Sequence, residues 1–165
     1  MLSDVPAPWT IYCDIFKLKP GHLLQIPVED GRAKRERMTV EPYWSVESIL
    51  ERPLFEGSPE DAVDAVEERL SEAIRLQMVA DVPVGAFLSG GIDSSTVVAL
   101  MQKASTRPVR TFSIGFTEDE YDESPYAAAV ARHLGTEHTD LMVGPEDAMA
   151  VIPRLPEIWD EPFAD

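Results

Sequence analysis

The feature that most constrains the fold is a continuous apolar run, VPVGAFL at 82–88, which is followed directly by SGGIDSS at 89–95. A run of this kind is typical of a strand in a parallel sheet that is covered on both faces. The next residues carry apolar side chains at helical spacing, among them Val97, Val98, Leu100 and Met101. The sequence therefore predicts a buried strand, a glycine-containing turn and a helix in direct succession.

Strands and helices alternate on both sides of this turn. Strands are predicted at 110–116 and 136–143, with a helix over about 125–134 that Gly135 closes. A further helix after 143 must bend or end at its two prolines, Pro153 and Pro156. Strands separated by helices predict an α/β fold with a partial parallel sheet, flanking helices and right-handed crossovers.

A capped helix is predicted upstream of the apolar run. Ser58 is a favourable N-cap, Pro59 suits the first helical position, and Asp61 stands where a capping box places its acidic residue. This helix should end near Val79. The apolar stripe expected to face the core consists of Val63, Val66, Leu70, Ile74 and Met78.

The first 57 residues are predicted to form a separate region. Two apolar runs in 11–28, split by Pro20-Gly21, indicate two strands joined by a turn, and Cys13 in the first run is expected to be a small buried hydrophobe. The charged stretch 29–37 is predicted to be a solvated turn, and 40–57 an extended linker. The expected organisation is therefore 1–40, a linker at 41–57, and an α/β region at 58–165.

Composition excludes several classes of partner. The chain has 14 Lys and Arg against 30 Asp and Glu, a formal net charge of −16. Nucleic acid and anionic membrane surfaces would repel such a chain, so neither is expected as a partner. The single cysteine rules out an internal disulfide framework and fits a reducing compartment, which favours the cytoplasm.

The loop at 89–95 has the chemistry of a phosphate cradle. Paired glycines permit positive φ and close approach to an anion, and the serine hydroxyls stand beside the free N–H groups of a helix start. Asp93 at the rim would repel phosphate unless a divalent cation lay between them, which indicates Mg²⁺. No Lys follows the glycines, so the loop is neither a Walker-type P-loop nor G-x-G-x-x-G. The alternative is a plain strand-to-helix turn in which Asp93 or Ser94 is an N-cap.

SGGIDSS resembles the pyrophosphate-binding loop of the N-type ATP pyrophosphatases, the PP-loop superfamily. Residues 82–165 resemble the synthetase domain of bacterial class B glutamine-hydrolysing asparagine synthetases. The further matching stretches are TFSIGF (111–116), YDES (121–124), AAAVARHLGTEHT (127–139) and WDEPFAD (159–165). FKLKPGHLL (16–24) and PYW (42–44) resemble the last strands of the glutaminase domain, an Ntn-type domain, and its linker.

The resemblance implies an ATP-dependent amide ligase. In that family the loop holds the β- and γ-phosphates of ATP with Mg²⁺, aspartate attacks the α-phosphorus, and ammonia, free or from glutamine, displaces AMP from the acyl-adenylate. Carried over by position, Leu88 and Ile114 would contact adenosine, although Ile114 suits a plain core residue equally well. The pyrophosphate loop would comprise Ser89, Gly90, Gly91, Ile92, Asp93, Ser94 and Ser95, with Asp93 on the metal. No catalytic residue is assigned.

Two departures from the family leave alternatives open. Residue 2 is Leu where the glutaminase nucleophile is a cysteine, so Cys13 is not that nucleophile, and no stretch matches the family's second loop, of SGDGGDE type. The chain is therefore expected to be a middle segment of a larger enzyme, for which a homodimer is left open. A related amidotransferase or β-lactam-type synthetase acting on another carboxylate, or an inactive fragment, are the alternative readings.

The other polar candidates are expected to be structural. His22, His133 and His138 lack metal-ligand spacing, and the acidic run at 118–123 is predicted to be a solvated surface. Asp160 and Glu161 receive no role; with Trp159 and Phe163 they fit a packed turn.

Overall fold

The structure is a computed structural model that describes residues 4–117, 122–159 and 161. It divides into two compact units, Met1–Leu54 with Pro153–Asp165, and Phe55–Ile152. Of the described residues, 153–159 and 161 thus belong to the first unit, whereas the sequence attaches them to the α/β region. The assignment of the first unit to a glutaminase-type domain stays a prediction.

The first unit contains two small antiparallel sheets. Strand β1 (His22–Gln25) pairs with β4 (Thr39–Pro42), and β2 (Val28–Glu29) pairs with β3 (Arg32–Ala33). Asp30 and Gly31 join β2 to β3 with φ of 51° and 71°, the left-handed pair that a type I′ hairpin turn requires. A short helix, α1 (Val46–Leu50), begins after Ser45, whose hydroxyl accepts from the Ser48 N–H.

The strand pair predicted across Pro20-Gly21 is wrong, because β1 pairs with β4 and residues 11–19 form turns and irregular chain. Asp14 has a φ of 59°, and the Thr10 hydroxyl lies 3.1 Å from the Tyr12 carbonyl and 2.8 Å from that of Ile15. Local bonds of this kind compete with a strand ladder. Cys13 is accordingly exposed, not buried. The stretches predicted as a turn and a linker instead hold the β2–β3 hairpin, most of β4, and α1.

The second unit has the predicted α/β organisation. Strands β5 (Gly85–Phe87), β6 (Arg110–Phe116) and β7 (Glu137–Val143) form a parallel sheet in that order. The helices are α2 (Pro59–Gln77), α3 (Ile92–Ala104), α4 (Ser124–Leu134) and α5 (Pro145–Val151). A 3₁₀ turn (Ile152–Arg154) and a four-residue helix (Leu155–Ile158) follow, so the last helix is broken at its prolines as expected.

The core lies on one face of this sheet. Leu88, Val98, Ala127 and Ala131 are buried between the strands, α3 and α4, and Ile74 packs with Met101 and Val109 between α2 and α3. The stripe of α2 is buried only at its carboxyl half, since Val63 and Val66 remain exposed.

The opposite face of the sheet is open. Phe87 is 77% exposed, and Ile114, Phe116 and Leu141 on the same face are also exposed. The prediction that the first strand is covered on both faces is therefore wrong for the described residues. Among those residues, no helix combines the length and the apolar character needed to cross a bilayer.

The amino end of α2 is held by the predicted capping box. The Asp61 N–H donates to Ser58 Oγ at 3.1 Å, and the Ser58 N–H donates to Asp61 Oδ2 at 2.9 Å. The hydrogen bonds from the backbone and side chain of Ser58 lower the pKa of Asp61. A carboxylate of this kind stabilises the fold above its ordinary titration range, and that contribution is lost as the pH falls through its lowered pKa.

We expect Ser58→Ala to lower the free energy of unfolding by about 1 kcal/mol, because one helix N–H loses its acceptor. Urea unfolding at neutral pH measures the change. Ser71→Ala, inside the same helix, is the control and should cost little, since Ala is the better helix former. Equal losses for both variants would contradict the capping role.

Candidate functional site

The loop at 88–91 joins β5 to α3 at the carboxyl edge of the parallel sheet. Gly91 is the N-cap of α3, which begins at Ile92, so the N–H groups of the first helical turn lack intrahelical acceptors. Open α/β sheets bind ligands at this edge, and the partial positive charge of a helix start favours anions. The sequence motif thus folds into a geometry suited to an anion.

The two loop glycines have different roles. Gly90 has a φ of 80°, and a Cβ there would lie 2.7 Å from Tyr126 Cβ and 2.9 Å from the Ala127 nitrogen. Gly91 has a φ of −71°, and a Cβ there would meet only Ser89 Oγ, at 3.4 Å. Glycine is therefore required at position 90 by the backbone conformation and by the close approach of α4. Gly91 has neither constraint, and its backbone is accessible.

Serine hydroxyls hold the loop in shape. Ser89 Oγ and Ser94 Oγ lie 2.9 Å apart, and the Ser89 N–H donates to Ser94 Oγ at 3.3 Å. Ser94 Oγ in turn lies 3.3 Å from the Gly91 carbonyl. The Ser95 hydroxyl is buried without a hydrogen-bond partner among the described residues. Buried hydroxyl groups in proteins generally have a hydrogen-bond partner. Ser95 lies one turn into α3, the helix whose amino end forms the candidate anion site.

Asp93 carries the one carboxylate of the 89–95 motif. It is exposed in the first turn of α3, and no ion pair or hydrogen bond joins its side chain to another described residue. Carboxylate and hydroxyl oxygens suit Mg²⁺. Within the described part of the chain no three His, Cys, Asp or Glu side chains group around a metal position. A Mg²⁺ ion held by Asp93 would therefore take its remaining ligands from phosphate and water.

A cavity of about 220 Å³ opens beside the loop. Its lining comprises Phe87, Leu88, Ser89, Phe112, Ser113, Ile114 and Glu123. The structure thus brings together Leu88, Ser89 and Ile114, as the sequence predicts, and adds Ser113 and Glu123, which the sequence does not single out. Ile92 is 86% exposed at the helix start and does not line the cavity.

His138 lies in a polar network between β6 and β7. Its Nδ1 is 2.9 Å from Thr111 Oγ1, and its Nε2 is 2.9 Å from Asp140 Oδ1 and 3.3 Å from Ser113 Oγ. Because serine and aspartate share one ring nitrogen, this is not the arrangement of a nucleophile, base and orienting carboxylate. Thr111 is also fully buried. The network ties two strands together, which is the structural role expected of this histidine.

The other polar candidates make local contacts or lie exposed. Asp122 Oδ1 accepts from the Ser124 N–H at 3.0 Å at the start of α4, and the hydrogen bonds of Ser124 lower the pKa of Asp122. Glu161 pairs with Lys17 in the first unit. His22 Nδ1 lies 2.9 Å from the Pro20 carbonyl, and His133 is exposed on α4. Asp160, Phe163 and residues 118–121 of the acidic run lie outside the described residues.

The fold and loop define a class, the α/β proteins with a candidate anion site where a parallel strand meets a helix. The family model described as asparagine synthase matches residues 65–165. The chain belongs to the asparagine synthase family.

Curated relatives agree with this membership. The chain is 36% identical to a provisionally named glutamine-hydrolysing asparagine synthetase 2 of Methanocaldococcus jannaschii, with 99% of this chain and 30% of the relative covered. It is 31% identical to asparagine synthetase 1 of Bacillus subtilis, glutamine-hydrolysing by name, with 98% and 24% covered. Amidase chyE of Penicillium rubens is 33% identical, with 86% and 22% covered. The chain thus spans less than a third of the length of these relatives.

Proposed function

We propose that the protein is an ATP-dependent amide ligase that makes asparagine from aspartate through an acyl-adenylate. The observation that carries the proposal is the 89–95 loop at the start of α3 in a member of the asparagine synthase family. In this loop the Gly91 backbone is accessible, the Ser89 and Ser94 hydroxyls lie together, and Asp93 is bonded to no other described residue. The relatives named asparagine synthetases support the choice of aspartate.

The described residues suggest how ATP would lie. The β- and γ-phosphates would rest against the N–H groups at the start of α3 and the hydroxyls of Ser89 and Ser94. Asp93 would hold Mg²⁺, which neutralises phosphate charge when bound. The adenosine part would occupy the adjoining cavity between Leu88 and Ile114.

The proposed chemistry has two displacements. A carboxylate oxygen of aspartate attacks the α-phosphorus, and the bond from that phosphorus to the bridging oxygen breaks, so that pyrophosphate leaves. Ammonia then attacks the acyl carbon, loses a proton, and AMP departs with the carboxylate oxygen. The protein contributes position and charge stabilisation rather than a covalent nucleophile.

The second candidate is the same adenylation with another carboxylate as acceptor. The similarity to a protein named amidase chyE keeps it open, since that relative, which is not named an asparagine synthetase, is 33% identical over 86% of this chain. The nucleotide site would be unchanged, and only the acceptor would differ.

A product assay separates the candidates. The natural full-length protein is incubated with Mg-ATP, ammonia and aspartate, and nucleotides and amide are quantified. We expect AMP, pyrophosphate and asparagine in equal amounts, all dependent on aspartate. AMP formed only with a different carboxylate would establish the second candidate. ADP with phosphate would contradict adenylation, and no nucleotide turnover with any carboxylate would favour the inactive reading.

A further inference from the structure

We infer that Glu123 selects ATP over 2′-deoxy-ATP by accepting hydrogen bonds from the ribose hydroxyls. The inference rests on the proposed function, in that it takes ATP as the ligand of the cleft. Glu123 is the one ionisable side chain among the described residues that line the 220 Å³ cavity beside the loop. The other lining residues are apolar or carry hydroxyls.

The backbone of Glu123 is held close to the loop. Its carbonyl accepts from the N–H groups of Tyr126 at 3.1 Å and Ala127 at 3.2 Å, which starts α4. The same two residues make the close approach to Gly90. The carboxylate is therefore attached within one helical turn of the residues that touch the 89–95 loop.

The side chain of Glu123 is available for a ligand. It is exposed, and no ion pair joins it to another described residue. Asp122, its neighbour, is instead committed to the Ser124 N–H at 3.0 Å. The acidic pair at the start of α4 thus divides into one carboxylate that caps the helix and one that faces the cavity.

In a nucleotide the ribose lies between the phosphates and the base, and the Glu123 carboxylate lies between the surfaces suited to those two parts. Phosphates belong at the loop, where a second carboxylate besides Asp93 would repel them. Phe87, Phe112 and Ile114 supply apolar surface suited to the flat faces of a base. Between these two parts a carboxylate meets the 2′- and 3′-hydroxyls, which are hydrogen-bond donors. Acidic side chains bind ribose hydroxyls in other α/β nucleotide sites by the same chemistry.

The test is a thermodynamic cycle in which the Glu123 carboxylate, the ribose 2′-hydroxyl or both are removed and the dissociation constants are compared. Dissociation constants of ATP and 2′-deoxy-ATP with Mg²⁺ are measured by calorimetry on the natural full-length protein, on Glu123→Ala and on Glu123→Gln. We expect the wild type to bind 2′-deoxy-ATP roughly tenfold more weakly than ATP, as loss of a bond to a charged group implies. Glu123→Ala should bind both equally, and Glu123→Gln should keep part of the preference. Glu137→Ala, at the amino edge of the sheet, is the control and should keep the whole preference.

An unchanged preference for ATP in Glu123→Ala would overturn the inference. So would a cycle in which Glu123 couples to the base, seen as a changed ratio between ATP and inosine triphosphate with an unchanged 2′-deoxy ratio. Because binding is the readout, formation of ADP in the product assay would refute the proposed reaction and leave this inference standing. Absence of nucleotide binding by the wild type would refute both.

Discussion

Replacing Gly90 by alanine is expected to lower the free energy of unfolding by about 2–4 kcal/mol. Left-handed backbone costs a residue with a Cβ about 1 kcal/mol, and overpacking against backbone atoms adds about 1–3 kcal/mol. The clash here is with Tyr126 and the Ala127 nitrogen, which belong to α4 and cannot rotate away. Denaturant unfolding followed by circular dichroism measures the loss.

Gly91→Ala is the matched control. Its backbone is in the ordinary region, and the added methyl would meet only Ser89 Oγ at 3.4 Å, so its stability should stay within about 1 kcal/mol of wild type. Equal destabilisation by the two substitutions would show that the close approach of α4 to Gly90 does not shape the loop.

Asp93→Asn is expected to weaken ATP binding at least tenfold when Mg²⁺ is present. Without Mg²⁺ the order should reverse, because the neutral amide no longer repels the phosphates. The fold should persist, since the Asp93 side chain is exposed and makes no bond to another described residue. Calorimetric titrations with and without Mg²⁺ measure both effects.

Asp64→Asn, an exposed acid of α2, controls for the change in net charge. It should leave the Mg²⁺ dependence as in wild type. Equal ATP affinities for wild type and Asp93→Asn with Mg²⁺ would remove Asp93 from the metal. Unfolding of Asp93→Asn would instead assign it to the start of the helix as a structural residue.

Much of the second unit is predictable because its determinants are local. Strand β6 occupies the predicted 110–116. The Ser58–Asp61 capping box starts α2 and Gly135 ends α4, as the sequence predicts. The first unit is misread because β1 and β4 are separated by the β2–β3 hairpin, and nothing local reports which strands pair. The Asp30-Gly31 turn was a usable hairpin signal within the charged stretch. The open sheet face is misread for a related reason, since an apolar run does not say which face is covered.

The candidate site likewise has one part that local sequence predicts and another that depends on contacts between distant residues. The 89–95 loop is contiguous, so its geometry follows from its own residues and the strand and helix beside it. Glu123 reaches the cavity because α4 approaches Gly90, a contact between residues far apart in sequence. The His138 network likewise depends on the register that places Thr111 opposite His138 and Ser113 opposite Asp140. Such contacts require strand order and register, which the sequence alone does not supply.

Oxygen transfer is the most direct test of adenylation in this cleft. Aspartate labelled with ¹⁸O in its side-chain carboxylate is turned over with Mg-ATP and ammonia by the natural full-length protein, and the products are examined by ³¹P NMR and mass spectrometry. Attack on the α-phosphorus predicts one ¹⁸O in each AMP and none in pyrophosphate. AMP without label, or label in inorganic phosphate with ADP, would contradict the proposed reaction.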